Sequence, residues 1–426
     1  MVADGSFSHI VIFNSAGKAI KAIGQRGTGP GRFRAMTAMT LGEDGLFILD
    51  RLELPVQVLT LDGEYMRFVF EKRETTSKLA LLLVPIASFF VSLLLAAILL
   101  SLSNASPLKT YTAMFRGAFG TVPNFTETLV KAIPLMLTGL AVSIAFRMEF
   151  WNIGAEGQLT LGGVAAAWVA LFWSQGLPPF LVLPFALIVG MAAGAVWAGI
   201  PAVLHARLRV NETLTTLMLN YVAILFSEHL YYGPWRDPKG YGFPGTAPFP
   251  EAAWLPRIAG RAHLGLLFAV FLALMLWFAI NRTRWGFEVR IIGRNRTAAR
   301  FLGINIGRTI VMSILLSGAL SGLAGACEVT GISRRLQQGL SIGYGYTAII
   351  VAWLAQLNPI AILFVAVLMA GLSVGGDQVQ MIMRLPAAMG LVLQGLILFP
   401  MLAGAIFNEY RPVLMRTAAD ARRESG

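Results

Sequence analysis

Long apolar runs, separated by short polar or glycine-rich stretches, fill the chain from Leu79 onward. The first run has 24 residues and no charge, and a helix of about 20 residues crosses a ~30 Å hydrocarbon core. Ten runs follow one another: Leu79–Leu102, Thr126–Phe146, Asn152–Trp173, Phe180–Leu204, Leu214–Leu230, Leu264–Ile280, Ile310–Val329, Tyr346–Leu357, Pro359–Val374 and Leu385–Phe407. This pattern predicts an all-α polytopic membrane protein.

The eighth run, Tyr346–Leu357, has only 12 residues and is too short to cross a bilayer unassisted. We therefore interpret it and its neighbour as a broken or re-entrant pair around Asn358 and Pro359. The prediction is about eight to ten transmembrane helices.

The basic residues indicate how the helices are oriented. Seven arginines lie between Arg282 and Arg308, and short loops rich in Lys and Arg face the cytoplasm. This bias predicts that both termini are cytoplasmic, with residues 411–426 as a basic tail. The first run is too long for the ~7–15-residue apolar core of a cleavable signal, so we expect a retained anchor.

Residues 1–77 have a different pattern, with short alternating runs bounded by turn residues, which is typical of strands. The segments Ile12–Ile20 and Val58–Met66 are similar, and Gly24–Asp50 resembles one NHL-type propeller repeat. A propeller needs roughly 4–8 blades, so this β-rich, propeller-blade-like fragment cannot close alone. We interpret it as a gene-fusion remnant or a misplaced start codon. An appendage that pairs with a partner is the alternative.

Composition supports the membrane prediction. Hydrophobic residues make up 56% of the chain and charged residues 13%, against about 25% charged in soluble domains. The net charge of +12 lies in short loops, which argues against nucleic acid binding. The single cysteine, Cys327, allows no intrachain disulfide, and the four histidines lack metal-binding spacing. No metal or cofactor is predicted.

The chain contains neither an H-E-x-x-H motif nor a G-x-x-x-x-G-K-[S/T] phosphate loop. It is therefore not expected to hydrolyse ATP or to be an enzyme. The hypothesis is a helix bundle that passes a solute across a bilayer, with energy from an ion gradient or from another subunit.

Two polar segments stand out. The first, Met148–Gly163, holds Glu149, Asn152, Glu156 and Gln158 among glycines. Polar groups at membrane depth are costly unless they line a cavity or find partners. One interpretation is therefore a substrate pathway near a broken helix. The other is a surface loop in which Glu149 pairs with Arg147.

The second segment, Arg282–Arg308, contains a short predicted helix over Arg296–Leu302. Asn295 is a favourable N-cap and Gly303 a favourable terminator. Spacing places Ala298, Phe301 and Leu302 on one face, and Arg296 and Arg300 on another. Such a helix could dock a protein partner or lie on anionic lipid.

Four motifs carry a family resemblance. They are FWNIGAEGQLTLGG, NETLTTLMLNY (Asn211–Tyr221), GFEVRIIGRNRTAARFLGI and SGALSGLAGACEVTG (Ser317–Gly331). In this order they resemble ATP-binding-cassette permeases of the simple-sugar and nucleoside family, relatives of branched-chain amino acid permeases. The resemblance covers about residues 78–410. The loop Tyr231–His263 is similar to the one in the longer permease of heterodimeric nucleoside systems.

The resemblance implies a nucleoside or simple-sugar importer of the cytoplasmic membrane that works by alternating access. It implies a second permease subunit, ATPase subunits, and an external substrate-binding lipoprotein of the basic-membrane-protein type. It also implies that the helix near Asn295 receives the ATPase stroke, through Gly293, Arg294, Asn295, Ala298, Ala299, Arg300 and Gly303. Candidate pathway residues are Asn152, Glu156, Gln158, Asn220, Glu328 and Asp377, with a helix-end role as the alternative for Glu328.

Other hypotheses remain open at this stage. A branched-chain amino acid permease is one. An ion-coupled secondary transporter is another, with charge relayed by Glu127, Lys131, Glu156 or Asp377, although no second copy of the Glu156 segment is evident. A third is a channel or receptor that uses the N-terminal repeat as a sensor.

Overall fold

The computed structural model describes side chains for residues 87–382, except 104 and 241, and for a few residues between 392 and 404. Elsewhere it describes only the backbone of strands and helix ends. The chain divides into two compact units, Met1–Leu94 with Phe399–Gly426, and Leu95–Leu398.

In the first unit, short strands occupy parts of residues 2–72 and one strand lies near the C-terminus. They are β1 (Val2–Ala3), β2 (Ile10–Phe13), β3 (Ala19–Ile23), β4 (Gln25–Arg26), β5 (Arg32–Phe33), β6 (Met36–Gly42), β7 (Gly45–Asp50), β8 (Val56–Leu59), β9 (Tyr65–Met66), β10 (Val69–Lys72) and a last strand, Tyr410–Val413. Strands β6 to β9 form an antiparallel four-stranded sheet, and β10 pairs with the last strand. The predicted NHL-type repeat is not shown by this arrangement, and the side chains that would define it lie outside the described residues.

The second unit is helical, and the first helix, α1, begins before it. The helices are α1 (Lys78–Leu102), α2 (Pro107–Phe119), α3 (Val122–Phe146), α4 (Ala155–Trp173), α5 (Pro179–Leu208), α6 (Glu212–Tyr232), α7 (Gly265–Arg282), α8 (Arg284–Arg294), α9 (Arg296–Phe301), α10 (Ile306–Ser333), α11 (Tyr344–Leu354) and α12 (Pro359–Met383). A small hairpin, Arg257–Ala259 with Ala262–His263, lies between α6 and α7. Helix α3 is buried along most of its length.

Within the described residues, six helices are long and apolar enough to cross a membrane, namely α3, α4, α5, α7, α10 and α12. The number rises to seven if α1 and α2, bent by 115°, count as one span. This is fewer than the eight to ten predicted. Helix α6 is not counted among the six, α11 has only 11 residues, and most of Leu385–Phe407 lies outside the described residues. The architecture is that of a multi-pass α-helical membrane protein.

Helices α4, α5 and α10 meet along a seam of glycines. A Cβ atom added to Gly162 would overlap the backbone of Gly322, and one on Gly325 would overlap the carbonyl oxygen of Leu159. Gly194 of α5 faces Gly322 in the same way. In lipid, where apolar burial does not drive helix association, such close backbone approach is a main source of packing energy. The seam therefore fixes these three helices against one another.

We expect Gly325→Ala to destabilise the bundle, because its methyl group has no space beside the Leu159 carbonyl. Overpacking of this kind typically costs about 1–3 kcal/mol. Thermal unfolding of the purified chain in detergent measures the loss. Gly307→Ala is the matched control in the same helix, since the space around Gly307 is open. Equal melting temperatures for the two variants would contradict the seam.

Candidate functional site

Helix α11 begins inside the helix bundle rather than at its surface. Residues 334–343, here named the inbound segment, lead from the α10 end to the α11 start. At its beginning this segment pairs with the loop after α6: Thr246 N–H donates to the Leu336 carbonyl at 2.8 Å, and Leu336 N–H donates to Thr246 Oγ1 at 3.1 Å. With 11 residues, α11 is about 16 Å long, which is half of a ~30 Å hydrocarbon core. The eighth predicted run therefore corresponds to α11, and the break before Pro359 spans residues 355–358. Its re-entrant placement in a membrane stays a prediction.

A buried carboxylate from α4 holds the start of α11. Glu156 accepts hydrogen bonds from Ser341 Oγ at 2.7 Å, from Gly343 N–H at 2.8 Å and from Gly345 N–H. The first amides of a helix lack intrahelical partners and carry a partial positive charge, so an anion is favourable here. Gly345 has no room for a side chain, because its Cα lies against the backbone of Glu156. Glu156 is the N-terminal cap of α11, supplied from another helix.

Two amide side chains close to Glu156 in the sequence, those of Asn152 and Gln158, form a hydrogen-bonded pair. Asn152 Nδ2 donates to Gln158 Oε1 at 3.2 Å, and Gln158 Nε2 donates to Asn152 Oδ1 at 3.0 Å. Asn152 also donates to Ser317 Oγ of α10, and Ser317 donates to the Ala141 carbonyl of α3. All three polar side chains are buried. The pair thus joins the turn before α4 to α3 and α10.

Asn220 ties α6 to the same turn. Its Oδ1 accepts from Gly157 N–H at 2.8 Å, and its Nδ2 donates to the Ile153 carbonyl at 2.9 Å and to the Tyr346 hydroxyl at 3.2 Å. The polar joint, defined here as residues 152–158 with Asn220 and Ser317, therefore connects five helices: α3, α4, α6, α10 and α11. Buried networks with this degree of satisfaction are rigid.

Of the two interpretations of Met148–Gly163, the surface loop is wrong for residues 152–163, most of which are buried. Glu149 is exposed, and among the described residues no ion pair joins it to Arg147. Arg147 instead donates to the Leu357 carbonyl beyond the α11 end. Burial and the neighbouring Arg290 guanidinium lower the pKa of Arg147. The joint brings together Asn152, Glu156, Gln158 and Asn220, and a pathway role for them stays a prediction.

The other two predicted pathway residues lie apart from the joint's hydrogen bonds. Asp377 of α12 forms an ion pair with Lys131 at 2.5 Å, and both are partly exposed. Glu127 pairs with Arg261 at 3.1 Å. Glu328 is half-buried, just before the π-helical turn that ends α10. Three of the four residues proposed for an ion relay, Glu127, Lys131 and Asp377, therefore take part in ion pairs, and Glu156 takes part in neither pair.

A cavity of about 230 Å³ opens beside the joint, between α4, α6 and the inbound segment. Its lining is largely polar and shares Ser341 with the Glu156 cap. The lining residues that carry polar side-chain groups include Thr160, Ser227, Glu228, Tyr231, Gln337 and Ser341. Ligand pockets typically measure ~300–1,000 Å³, so this cavity is closer to part of a binding site than to a whole one.

Sequence reasoning missed this lining. The available signal was the polar string Arg334–Gly343 between two apolar runs, read as an ordinary loop. Within it, Gly339, Ser341 and Gly343 have the spacing of a hydrolase nucleophile elbow. That motif requires a strand before the serine, and the structure has none there; Ser341 donates to Glu156 instead.

The segment that joins α3 to α4 touches the α8–α9 end of the bundle. A Cβ on Gly293 would overlap the Arg147 carbonyl oxygen, so the end of α8 lies directly on residue 147. Met148, Phe150 and Ala155 share one apolar cluster with Ile292 and Ala299. Movement of α8 and α9 would therefore be passed to the segment that leads into the joint.

Helix α9 has the predicted boundaries to within one residue. The Asn295 side chain accepts from Thr297 N–H at 2.9 Å and from Ala298 N–H at 3.0 Å, and Gly303 adopts a positive φ of 72°. Ala299 is buried, whereas Phe301 and Leu302 are 89% and 60% exposed. The predicted apolar face thus points away from the described part of the chain.

We expect Glu156→Gln to loosen α11, because an amide offers one acceptor where the carboxylate offers two. Hydrogen bonds to a charged group contribute about 1.5–3 kcal/mol each. Hydrogen exchange of residues 343–354 should rise and the melting temperature should fall. Glu149→Gln, which removes an exposed carboxylate nearby, is the control and should change neither. Unaltered exchange in Glu156→Gln would argue against the cap.

Comparison with known proteins gives one consistent picture. Residues 124–402 match the family described as branched-chain amino acid transport system / permease component. The chain is 35% identical to a glucose ABC transporter permease protein of Haloferax volcanii over 77% of this chain and 88% of that protein. It is 35% identical to a guanosine ABC transporter permease protein of Bacillus subtilis over 70% and 86%. It is 30% identical to a nucleoside ABC transporter permease protein of Lactococcus lactis over 69% and 83%.

Proposed function

Because the chain belongs to the branched-chain amino acid transport system permease family of ABC transporters, we propose that it forms half of a nucleoside import pathway. The chain is a permease and not itself an enzyme. Membership implies an ATPase partner and a substrate-binding protein. We further propose a second permease subunit of similar fold, because the cavity of about 230 Å³ is smaller than the ~300–1,000 Å³ typical of ligand pockets and a facing surface would complete it.

The cavity is the observation that carries the substrate proposal. Ser227, Glu228 and Gln337 offer hydrogen-bonding groups suited to ribose hydroxyls and base edges, and Tyr231 offers an aromatic edge. No Lys or Arg lines it, so it lacks the cation that an amino acid carboxylate would require. Simple sugars share the hydroxyl chemistry and are the second candidate.

Aromatic rings at the other end of the joint favour a nucleoside over a sugar. Trp151 and Trp353 are each about half-exposed, with ring centroids 6.1 Å apart, and Phe146 lies 5.1 Å from Trp151. Flat bases stack on such faces with about 1–3 kcal/mol each. Trp353 lies on the same helix as Tyr346, whose hydroxyl accepts a hydrogen bond from Asn220, so in the proposed pathway α11 connects these rings to the joint.

The proposed coupling runs from α9 to the joint. The ATPase docks on the exposed face of Phe301 and Leu302, and its stroke moves α8 against residues 147–150. The residues that transmit this movement, without binding substrate, are Gly293, Arg294, Asn295, Ala298, Ala299, Arg300 and Gly303. The movement is received by four residues of the joint, Asn152, Glu156, Gln158 and Asn220. Two further residues, Glu328 and Asp377, remain candidates for the lining of the pathway.

Orientation and domain limits follow from the same proposal. The α8–α9 end faces the cytoplasm, together with both termini, and the inbound segment starts near the outer surface. Residues 78–410 are the permease domain and residues 411–426 are a basic tail. Residues 1–77 are a separate β-rich segment, which we interpret as a fusion or a remnant.

The substrate proposal predicts that Glu228→Gln raises the KM for guanosine about tenfold, because one charge-assisted hydrogen bond is lost. Uptake of labelled guanosine into proteoliposomes that hold the assembled importer measures this. Glu251→Gln, an exposed loop residue, is the control. Excess unlabelled glucose should not compete. Competition by glucose but not by adenosine would make a simple sugar the favoured substrate. An unaltered KM for guanosine in Glu228→Gln would contradict the proposal that this cavity binds the substrate.

The coupling proposal predicts that Phe301→Ser abolishes recovery of the ATPase subunit with the tagged permease. The serine removes the apolar contact but leaves α9 folded, since its cap is Asn295. Phe243→Ser is the matched control, an exposed phenylalanine in the loop after α6. If both variants retain the ATPase equally, docking does not use this face.

A further inference from the structure

A groove at the α8–α9 end of the bundle has the features of a binding site for a negatively charged head group. Two adjoining cavities of about 500 and 450 Å³ share Asn305, Arg308 and Met312. Helix α5 closes one side with Val203 and Arg207, and α8 closes the other with Arg284, Trp285 and Glu288. The combined space, here named the Arg207–Arg308 groove, is open to the outside of the bundle.

Two of the three arginines that line the groove, Arg207 and Arg308, form no ion pair within the described part of the chain. Its one acid, Glu288, is already occupied: Oε1 pairs with Arg284 Nε at 3.1 Å and Oε2 accepts from Thr309 Oγ1 at 3.1 Å. No carboxylate of the described residues lies within 4 Å of the Arg207 or Arg308 guanidinium. Arginine suits phosphate because its planar donors match phosphate oxygens.

Arg308 is also placed where a cation is locally unfavourable. It is the third residue of α10, whose N-terminus has a partial positive charge. Asn305 caps this terminus through the Arg308 N–H, but a neutral amide does not offset the guanidinium. An anion bound in the groove would interact favourably with both arginines and with the helix end.

An apolar track leads from the groove along the membrane-facing side of α5. Val196, Ile200 and Val203 are 68%, 39% and 39% exposed. Their spacing puts them on the same helix face as Arg207. On α10, Met312 lies one turn beyond Arg308 and is exposed. Where Gly199 meets Leu315 the two helices touch, so the track follows the crevice between them.

The groove lies at the ends of two candidate spans. Span α5 ends at Leu208 and span α10 begins at Ile306, so both arginines lie at span ends, where lipid head groups are expected, and the apolar track runs toward the middle of the spans. Basic pockets between transmembrane helices at this depth suit anionic head groups. A free phosphate would use the arginines but not the track.

From the unpaired arginines and the adjoining apolar track, we infer that the Arg207–Arg308 groove binds an anionic phospholipid, with its phosphate between the two guanidinium groups and an acyl chain along Val203, Ile200 and Val196. The occupant is a single class of lipid, distinguished from zwitterionic lipid by net charge. The site lies away from the joint and the cavity.

Native mass spectrometry of the full-length chain, released from nanodiscs of equal phosphatidylglycerol and phosphatidylcholine, tests the inference. The wild-type chain should retain phosphatidylglycerol in preference. Arg207→Gln with Arg308→Gln should reduce that retention about tenfold or more, since each basic group near a membrane surface contributes about 1 kcal/mol. Arg308→Lys, which keeps the charge, should retain most of it.

The control is Arg236→Gln with Arg257→Gln, two exposed arginines between α6 and α7, which should leave retention unchanged. Inorganic phosphate added in excess should not displace the lipid. Equal retention of both lipids by the wild-type chain, or undiminished phosphatidylglycerol on the Arg207/Arg308 double variant, would overturn the inference. So would loss of the lipid when the ATPase is added, because the groove would then belong to a protein contact.

Discussion

A carboxylate buried within a membrane protein imposes the constraint on which the rest of this bundle depends. A carboxyl group away from water is costly unless it is hydrogen-bonded, and Glu156 accepts three hydrogen bonds, from two backbone amides and a hydroxyl. These donors belong to residues 341–345, so this interaction fixes the position at which α11 begins.

The helices around Glu156 are held together by different kinds of contact. The glycine seam binds α4, α5 and α10 backbone to backbone, and the Asn152–Gln158 pair extends this block to α3. Helix α6 is joined to the block by directional hydrogen bonds of Asn220. Helix α11 combines its hydrogen bonds to Glu156 with apolar packing, since Ala348 and Ala352 share a buried cluster with Val142 of α3.

The sequence was sufficient to predict interactions between residues that are close together along the chain. The Asn295 cap and the Gly303 terminator of α9 act within one helix, so their neighbours along the chain are their neighbours in space. Glu156 was recognisable as a costly buried group, but its partners are nearly 190 residues away and two of them are backbone amides of glycine, which carry no side-chain signal. Nearness in sequence likewise misled the pairing of Glu149 with Arg147. The apolar runs gave too many spans because they included α6, which with polar positions such as Asn220 is not among the six candidate spans, and α11, which has only 11 residues. The lining of the cavity was missed because Gln337 and Ser341 lie in a segment that resembles a loop, whereas Ser227 and Glu228 lie within an apolar run that was interpreted only as a span.

The outward-facing Phe301 and Leu302 have a consequence for how such a transporter is made. In the proposed assembly the ATPase covers this pair, so a permease without its partner would leave two large apolar side chains uncovered. Uncovered apolar surface is what quality-control proteases and chaperones recognise, and a subunit produced in excess of its partner would then be short-lived. Degradation of permease chains that lack a partner would then keep the amounts of the subunits balanced without a separate regulator.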